Sequence, residues 1–410
     1  MEPPLSGARW LCCHLGAREH YAVPRALHRH QRLTLLVTDA WARSSLWSLL
    51  PGSPLRRLSE RCHPELVSAR VRAFTVPLLI RESVSRWRHR HGWEELIARN
   101  DWFGRRAAAA LRDIGDRSDQ ETLVFAHSYS ARDVFRYAKS RGWTTVLGQI
   151  DPGAEHFRIV EQLARELPEY GPAPAVPPPA YFESWREECA LADWIVVNSE
   201  WSRDAMASDG VPAGKLRVVP LPFEPETIES SGPRRYPAGF TPERPLRALF
   251  VGHATVAKGV HALLESIELL NGVPIELTLV GDRSMTVPQR FVDHAAIHWA
   301  GAVPRLDVMR YYRQSDVLVF PSLSDGFGMA QVEAQGCGLP IIASTRCGRV
   351  VENGVNGLLL PEVTPQAIAG ALRSVAANPR QLEAFSSRCR MQQDGMSQLG
   401  TSLLQLEPPS

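Results

Sequence analysis

Lysine is nearly missing from this chain: only Lys139, Lys215 and Lys258 stand among 46 basic residues in a sequence of 410. With arginine the default cation, a compact, strongly hydrated ammonium kept inside a glycine-flanked loop, as at Lys258, becomes a residue of interest. Seven cysteines, at 12, 13, 62, 189, 337, 347 and 389, show neither a C-x-x-C pair nor His/Cys ligand spacing. That excludes a disulfide framework and a zinc scaffold, and fits reduced, buried thiols. No apolar run approaches the roughly 18 residues of a membrane span. The N-terminus, with Glu2, Pro3 and Pro4, shows no signal-peptide pattern, so the cytoplasm is the expected compartment.

Net charge is only +2, yet it is unevenly divided. Residues 1–150 hold 24 Lys and Arg against 14 Asp and Glu, a surplus of +10, and the remainder of the chain carries −8. Such a surplus can be spread over solvated helix faces, or it can attract an anionic surface or acceptor through Arg56, Arg57, Arg70, Arg72, Arg86, Arg88 and Arg90. Peripheral membrane contact through this basic half is the sharper of these expectations. Nucleic acid is not an expected partner, because no recognition module accompanies the arginines.

Short apolar runs alternate with amphipathic stretches, the pattern of parallel sheets covered by helices. Strands are predicted at 10–14, 33–37, 123–126, 144–149, 194–198 and 216–219, then at 247–252, 275–280, 317–320, 341–343 and 358–360. Helices are predicted at 131–140, 183–191, about 260–270 and 365–377, with residues 50–120 rich in helix. The proline-laden stretch 168–179 reads as irregular. A second proline-rich stretch, 220–245, separates the two alternating halves. The predicted class is α/β, with two doubly wound Rossmann-like domains facing a central cleft. They occupy 1–222 and 246–385, joined by a linker at 223–245, with a tail at 386–410 that crosses back to the first. In such folds ligands sit beyond the carboxyl ends of the strands.

Two loops at such strand ends carry chemistry. After Leu249-Phe250-Val251-Gly252 come His253 and, five residues on, Lys258-Gly259. A lysine just before a helix is electrostatically disfavoured as mere surface decoration, but is well placed to neutralise a diphosphate. After Val317-Leu318-Val319-Phe320-Pro321 comes Ser324-Asp325-Gly326-Phe327-Gly328-Met329-Ala330-Gln331-Val332-Glu333-Ala334. Glycines permit tight turns and close ligand approach, and a helix start offers unpaired amides and positive potential. A helix beginning near Met329 puts the Met329 and Ala330 amides toward phosphates and Glu333 one turn inside, facing a ribose. Asp325 is placed to accept hydrogen bonds from sugar hydroxyls.

The order Gly252, Lys258, Pro321 through Gly328, Glu333-Ala334, Gly338-Leu339-Pro340-Ile341-Ile342-Ala343 and Asn356-Gly357-Leu358-Leu359 resembles the donor domain of the family 4 retaining glycosyltransferases of GT-B architecture. The likeness extends back through Ala192-Asp193-Trp194-Ile195-Val196-Val197-Asn198-Ser199-Glu200, Gly210-Val211-Pro212 and Lys215-Leu216-Arg217-Val218-Val219-Pro220, covering about 190–385. The resemblance implies a hexosyltransferase-type enzyme that moves a sugar from a nucleotide diphosphate donor with retained anomeric configuration. The acceptor would be a glycan, a lipid-linked molecule or a small molecule. No cofactor and no metal are expected, since protein cations stabilise the departing diphosphate.

Carried over by residue, the resemblance makes Lys258 the phosphate cation and Glu333 the ribose ligand. Asp325, Phe327 and Gly328 form the sugar-side loop, Gly252 and His253 belong to the first loop, and Val303 is the candidate for the base slot. His127, closing another strand, falls where related enzymes carry a histidine facing the donor sugar; read as a lone residue it is more often a structural histidine at a strand end. Gly16 and His20, after the first strand, are the acceptor-side candidates. Asp151 orients a substrate or starts a turn. Two departures stand out. His253 replaces the usual arginine with a titratable group, and Asp325 replaces a glutamate one methylene longer. They leave two other readings open, a catalytically silent nucleotide-sugar-binding protein and a GT-B epimerase or phosphorylase.

Overall fold

The computed structural model describes residues 7–42, 61–89, 91–114, 121–172, 174–222, 234–389 and 394–407. The apolar runs become two all-parallel sheets. The first contains β1 (Arg9–His14), β2 (Leu33–Thr38), β3 (Val71–Ala73), β4 (Thr122–His127), β5 (Thr144–Gly148), β6 (Trp194–Val197) and β7 (Leu216–Val218), in the order β3-β2-β1-β4-β5-β6-β7. The second contains β8 (Leu246–Val251), β9 (Ile275–Val280), β10 (Ile297–Gly301), β11 (Val317–Phe320), β12 (Ile341–Ala343) and β13 (Gly357–Leu359), in the order β10-β9-β8-β11-β12-β13. Both sheets are doubly wound and α/β, with a switch in strand order between β1 and β4 and between β8 and β11.

Central strands such as β4 and β11 are buried throughout, and β11 and the middle of β4 are continuously apolar, because both faces are covered. Pleating sends Leu11, Cys13, Val124 and Ala126 into one core layer, and Trp10, Cys12, Leu123 and Phe125 into the layer on the opposite face. The final helix, Gly395–Leu404, lies against the helix Ala22–Arg29 and adds Met396, Leu399 and Leu403 to that second layer. Trp10 Nε1 donates to Glu407 Oε1 at 2.8 Å just beyond it.

Most predicted strands form within a residue or two of their expected limits. Two do not follow from apolar runs: β3 and β10 are edge strands, where Arg72 and His298 alternate out to solvent. The stretch 168–179 is more regular than its prolines suggest. Pro168–Tyr170 forms a 3-10 turn and Pro179 opens the helix Pro179–Leu191, since proline's fixed φ suits a first helical position. Residues 223–233 of the expected linker, and Arg56, Arg57 and Arg90, lie outside the described residues. Among the described residues no helix is long and apolar enough to cross a membrane.

Candidate functional site

At the end of β8 the chain turns through Gly252 (φ 144°) into a one-turn 3-10 helix, Val256–Lys258, capped by Thr255, whose Oγ1 accepts from the Lys258 amide at 3.2 Å. Gly259 follows with φ 71°, and a Cβ there would stand 1.9 Å from the Pro321 carbonyl oxygen. Only glycine allows the lysine loop to press against the end of β11. That contact brings the two loops together, and Lys258 Nζ donates to the Asp325 carboxylate. The same ammonium lies 5.6 Å from the centroid of the Phe320 ring. His253 is exposed, with Nε2 hydrogen-bonded to Ser284 Oγ.

The glycine loop feeds the helix Met329–Gly336, which starts shortly after β11 at the switch point of the second sheet. Gly328 adopts φ 89°, with the Phe320 ring packed where a side chain would stand. Phe327 is buried, and its carbonyl accepts from the Gly348 amide at 2.7 Å and from Gln331 Nε2 at 3.1 Å. These bonds fix the loop from behind. Glu333 sits one turn inside the helix, and its Oε2 accepts the hydroxyl of the fully buried Tyr312 at 2.7 Å. Val303, following β10, is half-buried in the layer that contains Tyr312.

The first sheet presents a different surface. His127 ends β4 and His14 ends β1, and their rings meet edge to face with centroids 4.4 Å apart. His127 Nδ1 lies 3.3 Å from the Gly148 carbonyl oxygen. His127 Nε2 and both His14 ring nitrogens are buried without a hydrogen-bond partner among the described residues. Burial, joined by the positive charge of Arg18, pushes the His14 imidazole down to about 3. Burial, with His14 and Arg18 acting in the same direction, holds His127 well below the usual histidine range. Both rings are therefore neutral at physiological pH.

The acceptor-side candidates are placed by backbone strain and by a buried charge. Gly16 (φ 85°) donates its amide to Asp39 Oδ1 at 3.0 Å, and Asp39 also accepts from Arg61 at 2.9 Å and from Arg99 at 3.0 Å. The Gly16 amide thus serves the loop's own fixation. Glu19, His20 and Tyr21 take φ values of 52°, 51° and 57°, three left-handed non-glycine residues in succession. Each such residue costs about 1–2 kcal/mol, a strain that clusters in functional loops.

The segments that follow β5 and β6 meet the glycine loop that follows β11. A Cβ on Gly326 would stand 2.5 Å from the Ile150 carbonyl oxygen, Ser202 Oγ donates to the Gly326 carbonyl at 3.3 Å, and His156 Nδ1 pairs with Ser324 Oγ at 3.0 Å. Burial lowers the His156 imidazole and Lys258 adds to this, while Asp151 and Asp325 oppose it. Asp151 Oδ1 accepts from Tyr129 Oη at 2.8 Å and from Gln149 Nε2 and the Gly153 amide at 2.9 Å. Lys258, Asp325, Phe327, Gly328, Met329 and Glu333 are thus gathered around one switch point, and His127 lies at the other. His14, Tyr312 and His156 have no sequence signal beyond their places in apolar or amphipathic runs. Among the described residues no cluster of three His, Cys, Asp or Glu side chains is arranged to hold a metal ion.

Residues 245–378, the stretch that builds the lysine loop and the glycine loop, match the family model described as "Glycosyl transferases group 1". The chain also matches curated relatives over part of its length. A D-inositol 3-phosphate glycosyltransferase of Kineococcus radiotolerans is 31% identical over 121 residues, 27% of this chain and 28% of the relative. One from Corynebacterium urealyticum is 29% identical over 222 residues, 48% of this chain and 51% of the relative. The chain spans about half the length, or less, of the curated relatives it matches. The whole fold has counterparts among solved structures. Anabaena HepE, solved with UDP and glucose, superposes with a TM-score of 0.60 at 14% identity, over 97% of this chain and 99% of that one. Sucrose-phosphate synthase from Thermosynechococcus elongatus superposes with a TM-score of 0.63 at 17% identity, over 96% and 94%. At such identities the likeness establishes the fold, GT-B.

Proposed function

We propose that the chain is a retaining glycosyltransferase of hexosyltransferase type, which binds a nucleotide diphosphate sugar against the second sheet and transfers the sugar to an acceptor held by the first. The observation that carries this reading is the convergence of the Lys258 ammonium, the first-turn amides of Met329–Gly336 and the Glu333 carboxylate around the switch point between β8 and β11. In the group 1 reading, Glu333 accepts hydrogen bonds from the ribose hydroxyls, and Tyr312 holds it in place. The Met329 and Ala330 amides and Lys258 take the diphosphate, and Gly252 lets its backbone approach. Charge develops on the leaving diphosphate as the glycosidic bond breaks, and a preorganised cation and helix start lower that barrier.

Asp325 then exchanges its bond to Lys258 for one to a sugar hydroxyl, releasing the ammonium to the phosphates. His127, neutral and with Nε2 unpartnered, is the sugar-facing group on the opposite side of the cleft. His253 contributes a titratable charge where an arginine would be permanent. Val303 borders the base, while Gly16 and His20 shape the acceptor side. No metal is assigned a role. The division into domains at 1–222 and 246–385, a cytoplasmic setting and a glycan, lipid-linked or small-molecule acceptor belong to the same proposal.

Calorimetric titration with UDP, GDP and ADP, then with their sugar derivatives, tests it. Binding of one nucleotide, followed by transfer with net retention in an acceptor panel, is the expected result. Binding without transfer or donor hydrolysis would instead favour a silent binder, and an epimerised sugar nucleotide or a sugar phosphate would favour an epimerase or phosphorylase.

A further inference from the structure

Five of the eight large hydrophobic side chains exposed among the described residues fall on one helical pair, Thr75–Trp87 and Gly92–Arg112. Val76, Ile80, Val84 and Trp87 are 65%, 61%, 41% and 78% exposed, and Leu96 on the second helix is 42% exposed. At 3.6 residues per turn the first four share an arc of about 80°. Leu78 and Ser85, on the other side of the same helix, are buried. The apolar stripe therefore points outward. A contiguous patch of this kind on a soluble surface marks an interaction site.

The chemistry around the stripe identifies what it meets. Arg86 and Arg88 flank it on either side, and the groove between the two helices is lined by Ile80, Val84, Arg88, Trp102, Arg105 and Arg106. Over residues 75–112 the sequence holds eight arginines against four carboxylates. Aliphatic side chains and a tryptophan on one face, bordered by cations with long apolar stems, suit the boundary between acyl chains and anionic headgroups. The position also fits. The first helix starts directly after β3, at the edge of the sheet where Asp39 joins the Gly16 amide to Arg99 of the second helix.

We propose that the outward face of the Thr75–Trp87 helix, through Val76, Ile80, Val84 and Trp87 with Arg86 and Arg88, lies on an anionic lipid bilayer beside the Gly16 loop. That an acceptor is drawn from this surface rests on the transferase reading; the docking face itself does not.

Co-sedimentation of the full chain with vesicles of phosphatidylcholine alone, and of equal parts phosphatidylcholine and phosphatidylglycerol, tests the proposal. Binding to the mixed vesicles only, weakened by salt, is expected. The double variant Ile80→Ser with Trp87→Ser, and the pair Arg86→Glu with Arg88→Glu, should each lose about tenfold or more in apparent affinity, with unchanged melting temperatures because all four side chains are at the surface. Mixed-vesicle binding that the Ile80/Trp87 variant leaves intact would overturn the proposal, as would no binding at all. A concentration-dependent dimer that the same variant disperses, without vesicle binding, would assign the face to a second copy and overturn it too. Lys258→Met should keep full vesicle binding, so failure of the donor site and failure of the docking face are read separately.

Discussion

Lys258 and Glu333 are the two side chains on which donor binding is expected to turn, and each is already engaged within the protein, Lys258 by Asp325 and Glu333 by Tyr312. Alanine at 333 would remove the carboxylate to which the buried Tyr312 hydroxyl donates and confuse function with stability, so Glu333→Gln, which keeps an acceptor, is the informative change. Glu333→Gln and Lys258→Met should each weaken nucleotide binding by about 1.5–3 kcal/mol, roughly tenfold to a hundredfold, by calorimetry, with melting temperatures close to wild type. His14 makes a different prediction. Its folded pKa of about 3 lies below the ordinary 6.5, so between those values the unfolded chain binds a proton that the folded chain does not. Stability should therefore fall as the pH drops from about 6.5 toward 3, and His14→Gln should flatten that part of a melting-temperature profile. Lys258, Asp325 and Glu333 were legible in the sequence because glycines and an isolated lysine frame them. His14 was not, since a histidine closing an apolar strand has no local signature, and Tyr312 reads as one aromatic in an amphipathic run.

At the scale of elements, the site depends on how closely the lysine loop approaches β11. Gly259→Ala combines a left-handed φ with a Cβ set on a backbone oxygen, an obstacle that no rotamer change removes. It should cost at least about 2 kcal/mol in thermal unfolding and, by displacing Lys258, should also remove nucleotide binding. An effect on binding equal to that of Gly210→Ala, where nothing stands within 4 Å, would show that the approach is unimportant. The strands that built the site were readable because β11 is continuously apolar and buried on both faces, and β8 is apolar at every position but Arg247. The edge strands β3 and β10 were not, because a half-solvated strand of three to five residues carries too few apolar positions to separate it from a loop.

For the whole molecule, the last helix matters more than its weak sequence pattern suggests. Met396, Leu399, Leu403 and Leu406 are all buried against the layer formed by Trp10, Ala22, Ala26 and Leu27. Leu403→Ala should cost about 2–5 kcal/mol in thermal or urea unfolding, whereas Gln405→Ala, at an exposed position, should leave stability unchanged. Across the cleft, His156–Ser324 and Ser202–Gly326 tie residues 168 and 124 positions apart, contacts that no local pattern can announce. The sequence by itself determined the α/β alternation, the paired glycine and lysine loops and the start of the helix at Met329, because periodicity, glycine and helix-terminal chemistry act over a few residues. Only the tertiary structure decided that Lys258 pairs with Asp325, that His14 meets His127, that Gly16 spends its amide on Asp39 and that an apolar stripe faces outward. Those outcomes depend on which strand ends the winding of the two sheets brings together, and on which helix face is left uncovered.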